Sequence, residues 1–154
     1  MGSDTTPGMY NFDVVCAAGT AEDQATMDAL QPALQPDDAI NIQFTSGTTG
    51  NPKGATLSHC NILNNGYLTG LAMQLGPADK LCIPVPLYHC FGMVLSVLAC
   101  VSHGATMVFP GPSFDPEETL KSVEAEGCTA LHGVPTMFIT CLLYTSDAAD
   151  ETVR

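Results

Sequence analysis

From Ala39 onward, short β-like runs alternate with helical stretches, which predicts an α/β fold: a mostly parallel sheet with helices on both faces. Three observations carry this expectation. Ala39-Ile-Asn-Ile-Gln-Phe-Thr45 alternates with a period of two, as a half-buried strand does. Lys80–Val85, Ala105–Phe109 and Cys128–His132 are short apolar runs bounded by Gly, Pro or Asp. The stretches between them are long enough for helices and open on capping residues. A length of 154 residues suits one domain of ordinary size, and 45% hydrophobic with 13% charged residues excludes a disordered chain.

Taken in order, residues 1–38 are polar and punctuated by Pro7, Gly8, Gly19, Pro32 and Pro36. They are expected to form an irregular lead-in to the same domain, with one helix at Ala21–Leu34. The unit proper is expected over 39–140. After the Ala39–Thr45 strand a loop runs to Gly54, followed by a short strand at Ala55–Leu57. Ser58 then caps a helix to about Leu75. Lys80–Val85 is a strand ended by Pro84 and Pro86, and Phe91–Ser102 an apolar buried helix. After the Ala105–Phe109 strand, Asp115 and Pro116 open a helix to Glu126. Cys128–His132 is the last strand, and Pro135 begins another helix. Cys141-Leu-Leu-Tyr-Thr-Ser-Asp-Ala-Ala-Asp-Glu151 breaks this texture. It matches the translation of a common transposase-type sequencing adaptor. Residues 141–154 are therefore expected to be a non-native tail on a truncated piece of a longer gene; a naturally fraying helix end is the alternative.

Charge and cysteine usage narrow the function classes. Sixteen acidic residues against four basic ones give a formal net charge of −12. Nucleic acid is excluded as a partner, because neutralising phosphates needs a Lys/Arg surface that four residues cannot build. An anionic membrane surface is disfavoured for the same reason. The longest apolar run, Phe91–Val101, is well short of a membrane span. Met1–Asp13 has neither the basic nor the apolar region of a secretory signal. The seven cysteines form no CxxC pair, so reduced thiols and a cytoplasmic location are expected, with the mitochondrial matrix as the eukaryotic alternative.

The segment richest in chemistry is Phe44-Thr-Ser-Gly-Thr-Thr-Gly-Asn-Pro-Lys-Gly54. Gly47, Gly50 and Gly54 let a backbone approach a ligand and present N–H donors. Thr45, Ser46, Thr48 and Thr49 add hydroxyls, Asn51 and Pro52 complete the turn, and Lys53 brings a positive charge. Such a set cradles phosphate oxygens. It is not the P-loop of kinases, where Gly precedes the lysine and a hydroxyl follows; here Pro52 precedes Lys53 and Gly54 follows.

At this loop the chain resembles the adenylate-forming enzymes: acyl-CoA synthetases, luciferases and peptide-synthetase adenylation domains. Asp38-Ala-Ile-Asn-Ile-Gln-Phe44, Gly54-Ala-Thr-Leu-Ser-His59, Asn61-Ile-Leu-Asn-Asn65, Pro86-Leu-Tyr-His-Cys-Phe-Gly92 and Gly133-Val-Pro-Thr-Met-Phe138 are similar to the medium-chain acyl-CoA synthetase family member 2 type. The resemblance covers about Thr5 to Thr140 and implies a fragment of a large N-terminal domain. It implies two steps: a fatty acid carboxylate attacks the α-phosphorus of ATP, then the thiol of coenzyme A displaces AMP. It assigns Thr45, Ser46, Thr48, Thr49 and Lys53 to the β- and γ-phosphates. His89 it sets beside the acyl carboxylate. The family's Mg²⁺-holding Glu, its ribose-binding Asp and its C-terminal lysine belong to later motifs that these residues do not contain. The 154-residue polypeptide is accordingly expected to be inactive.

Around His89, Pro86 ends a strand so that Tyr88 and His89 fall on a connecting loop, where sites gather. Phe91, Gly92 and Met93 would line an apolar acyl tunnel, while the competing reading makes His89 a core histidine among packing residues. No metal site is expected, because the adjacent pairs His59–Cys60 and His89–Cys90 point apart and lack further ligands at suitable spacing. Glu117, Glu118, Glu124 and Glu126 form a solvated helix face, His103 ends a helix, and His132 sits in a strand-to-helix turn, as a turn residue or, in the alternative, facing the nucleotide. An aryl- or other carboxylate-CoA ligase and a non-catalytic nucleotide-binding module are the alternatives.

Overall fold

The computed structural model of the chain describes residues 7–45 and 50–151, with side chains as far as Thr145. It forms two compact units, residues 1–38 and 39–154. In the first, helix α1 (Phe12–Ala17) is capped by Asn11, and α2 (Ala21–Leu30) by a reciprocal Thr20–Asp23 box. Only one helix was expected here, because six residues with a single cap give α1 no apolar period to detect. Helix α2 ends at Leu30 and tightens into a 3₁₀ turn, Gln31–Ala33, since Pro32 has no N–H to continue the ladder. No described residue of this unit is buried.

The second unit begins with a hairpin. Strands β1 (Ala39–Thr45) and β2 (Lys53–Ser58) pair antiparallel, with Thr45 opposite Lys53 and Phe44 opposite Gly54. These strands form a ribbon of their own: a short connection allows antiparallel pairing, whereas a parallel pair needs a crossover. The parallel sheet has three strands in the order β4-β3-β5, built from β3 (Lys80–Cys82), β4 (Thr106–Val108) and β5 (Ala130–Leu131). Each is shorter than expected. Pro84 and Pro110 lack donors just beyond β3 and β4. Single bonds extend the edges, from Ile83 N–H to the Val108 carbonyl (2.8 Å) and from His132 N–H to that of Cys82 (3.0 Å).

Ser58 closes β2 and caps α3 (His59–Ala72) in a box with Asn61. The helix stops before the expected Leu75, since Gln74 turns left-handed (φ 59°) and the Leu75 N–H returns to the Gly70 carbonyl. The apolar stretch after β3 is no regular helix. Phe91–Leu98 is a π-helical segment that passes into α4 (Ala99–His103), ended by Gly104 at φ 71°. Helix α5 (Pro116–Glu126) has the expected Asp115 cap and ends at Gly127. Helix α6 (Pro135–Glu151) runs through the segment suspected of adaptor origin. The core gathers Leu75, Leu81, Ile83, Val85, Ala99, Cys100 and Ala105, with Met107, Phe91 and Met137 against it. Among the described residues no helix is long and apolar enough to cross a membrane.

Helix α3 packs on the π-helical segment and α4 through its glycines. A Cβ on Gly66 would lie 2.6 Å from Leu98 Cβ and 3.1 Å from the Val94 carbonyl. In a free helix Ala is favoured over Gly by about 0.5–1 kcal/mol, but overpacking against backbone costs about 1–3 kcal/mol. The clash wins, so Gly66→Ala lowers the urea midpoint of the chain. A raised midpoint would mean that the two helices are not in such close contact.

Candidate functional site

The hairpin strands carry the two flanks of the expected phosphate loop, Thr45 and Lys53–Gly54. Thr45 and Lys53 close its neck, and Gly50 takes φ 88°, a left-handed conformation that suits glycine. At Gly54 a Cβ would meet Ile42 Cγ2 at 3.0 Å and Phe44 Cε1 at 3.5 Å, so the Phe44 ring lies close to the bare backbone opposite it. Asn51, Pro52 and Lys53 are exposed. Ser46, Gly47, Thr48 and Thr49 lie outside the described residues.

Lys53 differs electrostatically from the other described lysines. Lys121 pairs with Glu117 (2.8 Å) and Glu118 (3.3 Å), and Lys80 with Glu126 (3.9 Å). Lys53 has no carboxylate within 4.0 Å among the described residues. In a chain of net charge −12, that leaves a cation without an ion-pair partner among the described residues, opposite Thr45 and next to Gly54.

The second group of expected residues follows β3. Pro84 and Val85 are still buried, whereas Leu87–Cys90 are exposed, with Tyr88 at 91%. His89 is thus a surface loop residue, which corrects the competing view of it as a core histidine. Its ring caps the helix that follows: Phe91 N–H donates to His89 Nδ1 at 3.1 Å. An accepting Nδ1 puts the proton of the neutral ring on Nε2, and Nε2 becomes the atom that can meet a ligand. The loop folds tightly back, since a Cβ on Gly92 would collide with the Pro86 carbonyl oxygen. Gly92 is buried and Met93 half-buried.

A cavity of about 620 Å³ opens beside this loop, lined by Ile83, Val85, Leu87, Tyr88, Phe109, Phe114 and others. Of the expected acyl-site residues only Tyr88 reaches it; Phe91, Gly92 and Met93 are not among its lining. Phe91 turns instead toward the core and the ring of His132, 5.0 Å away. Helix α3 links the two groups of site residues, because it starts where β2 ends and packs on the π-helical segment.

Sequence patterns left His132 as a turn residue and did not single out Ser96. They meet across 36 positions: Ser96 Oγ is 2.7 Å from His132 Nδ1, and His132 Nε2 is 3.0 Å from Met73 Sδ. Burial holds the His132 pKa below the usual histidine value. Contacts so distant along the chain leave no spacing to detect. His103 stacks on Tyr67 at 5.0 Å and its Nδ1 lies 3.0 Å from the Ala99 carbonyl, a role inside the helix pair. Among the described residues no three His, Cys, Asp or Glu side chains are grouped to hold a metal. Cys82 is fully buried, and burial raises its thiol to about 11, next to Cys128.

Comparison with known proteins agrees with the loop. The family model described as AMP-binding enzyme matches residues 6–153, and the chain belongs to that family. It is 49% identical over 137 residues to the acyl-CoA ligase SID4 of Ajellomyces capsulatus, covering 89% of this chain and 23% of that protein. It is 49% identical over 139 residues to the putative acyl-CoA synthetase YngI of Bacillus subtilis (90% and 25%). The medium-chain acyl-CoA ligase ACSF2, mitochondrial, of Danio rerio is 45% identical over 138 residues (88% and 23%). The chain thus spans about a quarter of the length of these relatives. Among solved structures, ATP-bound MatB from Rhodopseudomonas palustris aligns with a TM-score of 0.61 at 36% identity, over 70% of this chain and 21% of that one. The o-succinylbenzoate CoA synthetase MenE of Bacillus subtilis, in complex with its acyl-adenylate OSB-AMP, gives 0.63 at 31% (71% and 28%). The resemblance to adenylate-forming enzymes is borne out, and so is the fold expected from it.

Proposed function

We propose that the chain is the phosphate-loop part of the large N-terminal domain of an ATP-dependent fatty acyl-CoA ligase. The observation that carries this reading is Lys53: a cation at the neck of a Gly/Thr hairpin, without an internal carboxylate among the described residues. The ligase activates a fatty acid carboxylate on the α-phosphorus of ATP, releasing pyrophosphate, and coenzyme A then takes the acyl group and releases AMP. Lys53, Thr45 and the donors of residues 46–54 stabilise the charge that leaves on the β- and γ-phosphates. Donors fixed beforehand do this without reorganising, commonly the largest catalytic contribution. His89, with Nε2 free to reach outward, stands beside the acyl carboxylate; Tyr88, Phe91, Gly92 and Met93 shape the acyl end. The similarity to ACSF2 proteins favours a medium-chain acid. A reducing compartment, the cytoplasm or mitochondrial matrix, suits buried thiols such as Cys82 and Cys100. Mg²⁺ is expected with ATP, but the family resemblance puts its Glu ligand in a motif this sequence does not contain, and no step is derived through it.

The two proposed site residues fail differently when removed from the complete ligase. Lys53→Ala weakens ATP–pyrophosphate exchange for every acyl chain, by roughly 10- to 150-fold for one lost charge-assisted contact. His89→Ala changes fatty acid KM and the transfer from adenylate to thioester. Normal exchange in Lys53→Ala would remove the lysine from the phosphate site. Wild-type behaviour of His89→Ala in both half-reactions would make His89 only a helix cap.

The 154-residue polypeptide by itself is expected to form no acyl-CoA, because the motifs that the resemblance assigns to the metal, the ribose and the α-phosphate are not in this sequence, and misorientation removes many powers of ten from a rate. Thioester formation from ATP, fatty acid and coenzyme A by the highly purified chain would refute this. We also assign residues 141–154 to adaptor DNA. Genomic sequence across codon 140 should diverge from Cys141 onward, and a genome encoding Cys141–Glu151 as it stands would restore α6 as native.

A further inference from the structure

A serine inside an α-helix returns its hydroxyl to the carbonyl three or four residues back. Ser102 in α4 does this, at 2.7 Å from the Leu98 carbonyl and 3.2 Å from that of Ala99. Ser96 does not. Its hydroxyl reaches the Phe91 carbonyl, five residues back, at 2.9 Å, a spacing available because Phe91–Leu98 is π-helical. Ser96 is fully buried, and its oxygen also lies 2.7 Å from His132 Nδ1. His132 is anchored independently, by its N–H to the Cys82 carbonyl of the central strand and by its ring against Phe91.

We propose that Ser96 and His132 are positioning residues for the acyl end of the site: a hydroxyl–imidazole lock that holds the π-turn at Phe91 and so sets where Phe91, Gly92 and Met93 stand. The proposal rests on the reading that these three residues meet the acyl chain. An extra residue in one turn rotates everything before it by about a third of a turn relative to a regular helix. Loss of the lock lets the segment relax toward α-helical spacing, and the Phe91–Met93 edge turns with it. Because Phe91 N–H is bound to His89 Nδ1, His89 follows.

The protons can be counted. Ser96 has one, and the Phe91 carbonyl, which has none to give, takes it. The 2.7 Å contact to His132 then requires an N–H on Nδ1, donated to the Ser96 oxygen. Met73 Sδ, an acceptor 3.0 Å from Nε2, competes for the one proton of the neutral ring, and the lock holds only with that proton on Nδ1. The opposite tautomer would draw the Ser96 proton to the ring and release the Phe91 carbonyl. The lock therefore needs a hydroxyl at position 96 and an N–H at the place of Nδ1. Ser96→Thr retains the first, and His132→Asn, whose amide nitrogen sits near the Nδ1 position, retains the second.

Two measurements test it. In the complete ligase, adenylate formation is followed over a series of acyl chain lengths. Ser96→Ala should raise acyl KM unequally along the series, by roughly five- to thirty-fold at the worst length, with ATP KM unchanged. Ser96→Thr and His132→Asn should retain most of the wild-type profile. An equal loss at every length, or failure of both conservative variants to rescue, would make the pair mere packing and overturn the proposal. In the 154-residue chain, Ser96→Ala should speed amide exchange over residues 94–98 while α5 is unaffected, and ¹⁵N spectra should find the His132 proton on Nδ1. Unchanged exchange, or a proton on Nε2, overturns the lock whatever the enzyme assay gives. Exchange that quickens with no change of acyl profile also overturns it, because the lock would then position nothing. If Met93→Ala in the ligase leaves acyl preference untouched, the acyl-site reading itself has failed, and the proposal falls with it while the exchange result stands.

Discussion

Leu81, Cys82 and Ile83 are at most 2% exposed, and β3 is hydrogen-bonded to a parallel neighbour on each side. The loops around Tyr88, His89 and His132 are positioned from this strand and its two neighbours, whereas the hairpin that carries Lys53 is a ribbon of its own. In a parallel sheet the carboxyl ends of all strands face one way, and loops leaving those ends meet at one rim. Tyr88 and His89 leave the end of β3, Phe109–Phe114 the end of β4, and His132 the end of β5. The apolar cavity, lined from the β3 and β4 loops, lies on that rim. A sheet of three short strands has little edge to spare. After Lys80 at its start, the central strand continues as Leu81 and Cys82, buried and apolar as residues covered on both faces must be.

From this rim the second constraint follows. The chain must turn sharply after Pro86 and re-enter a helix within a few residues, and Gly92 leaves the room for it against the Pro86 carbonyl. His89 closes the turn by accepting the Phe91 N–H, one of the donors a helix start leaves unpaired. One imidazole nitrogen is thus committed to the structure, and the other points away from that contact.

Legibility in the sequence followed locality. Ser58 and Asp115 were recognisable as caps because a capping residue and its target lie three positions apart. The family was recognisable at Phe44–Gly54 because the residue types of that motif follow one another in order. The end of β3 was overestimated at Val85, because buried apolar residues continue past the point where the ladder stops; the end of β5 was overestimated by one residue, His132, whose N–H still bonds the Cys82 carbonyl. The π-helical segment was invisible for a related reason. Phe91–Leu98 is apolar nearly all round, and a run without a polar face carries no period from which 3.6 and 4.4 residues per turn could be told apart. The Ser96–His132 contact was hidden by separation in sequence, and only the parallel arrangement of β3 and β5 brings it together.

Electrostatics complete the argument from an unlikely direction. Sixteen carboxylates on so small a chain repel any polyphosphate at long range, so the negative charge is of no help to an ATP site. What matters is where the few cations are spent. Lys80 and Lys121 are committed to carboxylates at the two ends of α5. Such exposed pairs are worth little, commonly below about 1 kcal/mol, yet they keep those two lysines occupied. Lys53 is kept out of them by the hairpin, whose neighbouring positions from Asn41 to Leu57 hold no acidic residue. Among the described residues Lys53 therefore has no carboxylate near it, and the general acidity is screened beyond about 8 Å at physiological ionic strength. Under the proposed phosphate role, local composition rather than net charge is what an arriving anion meets.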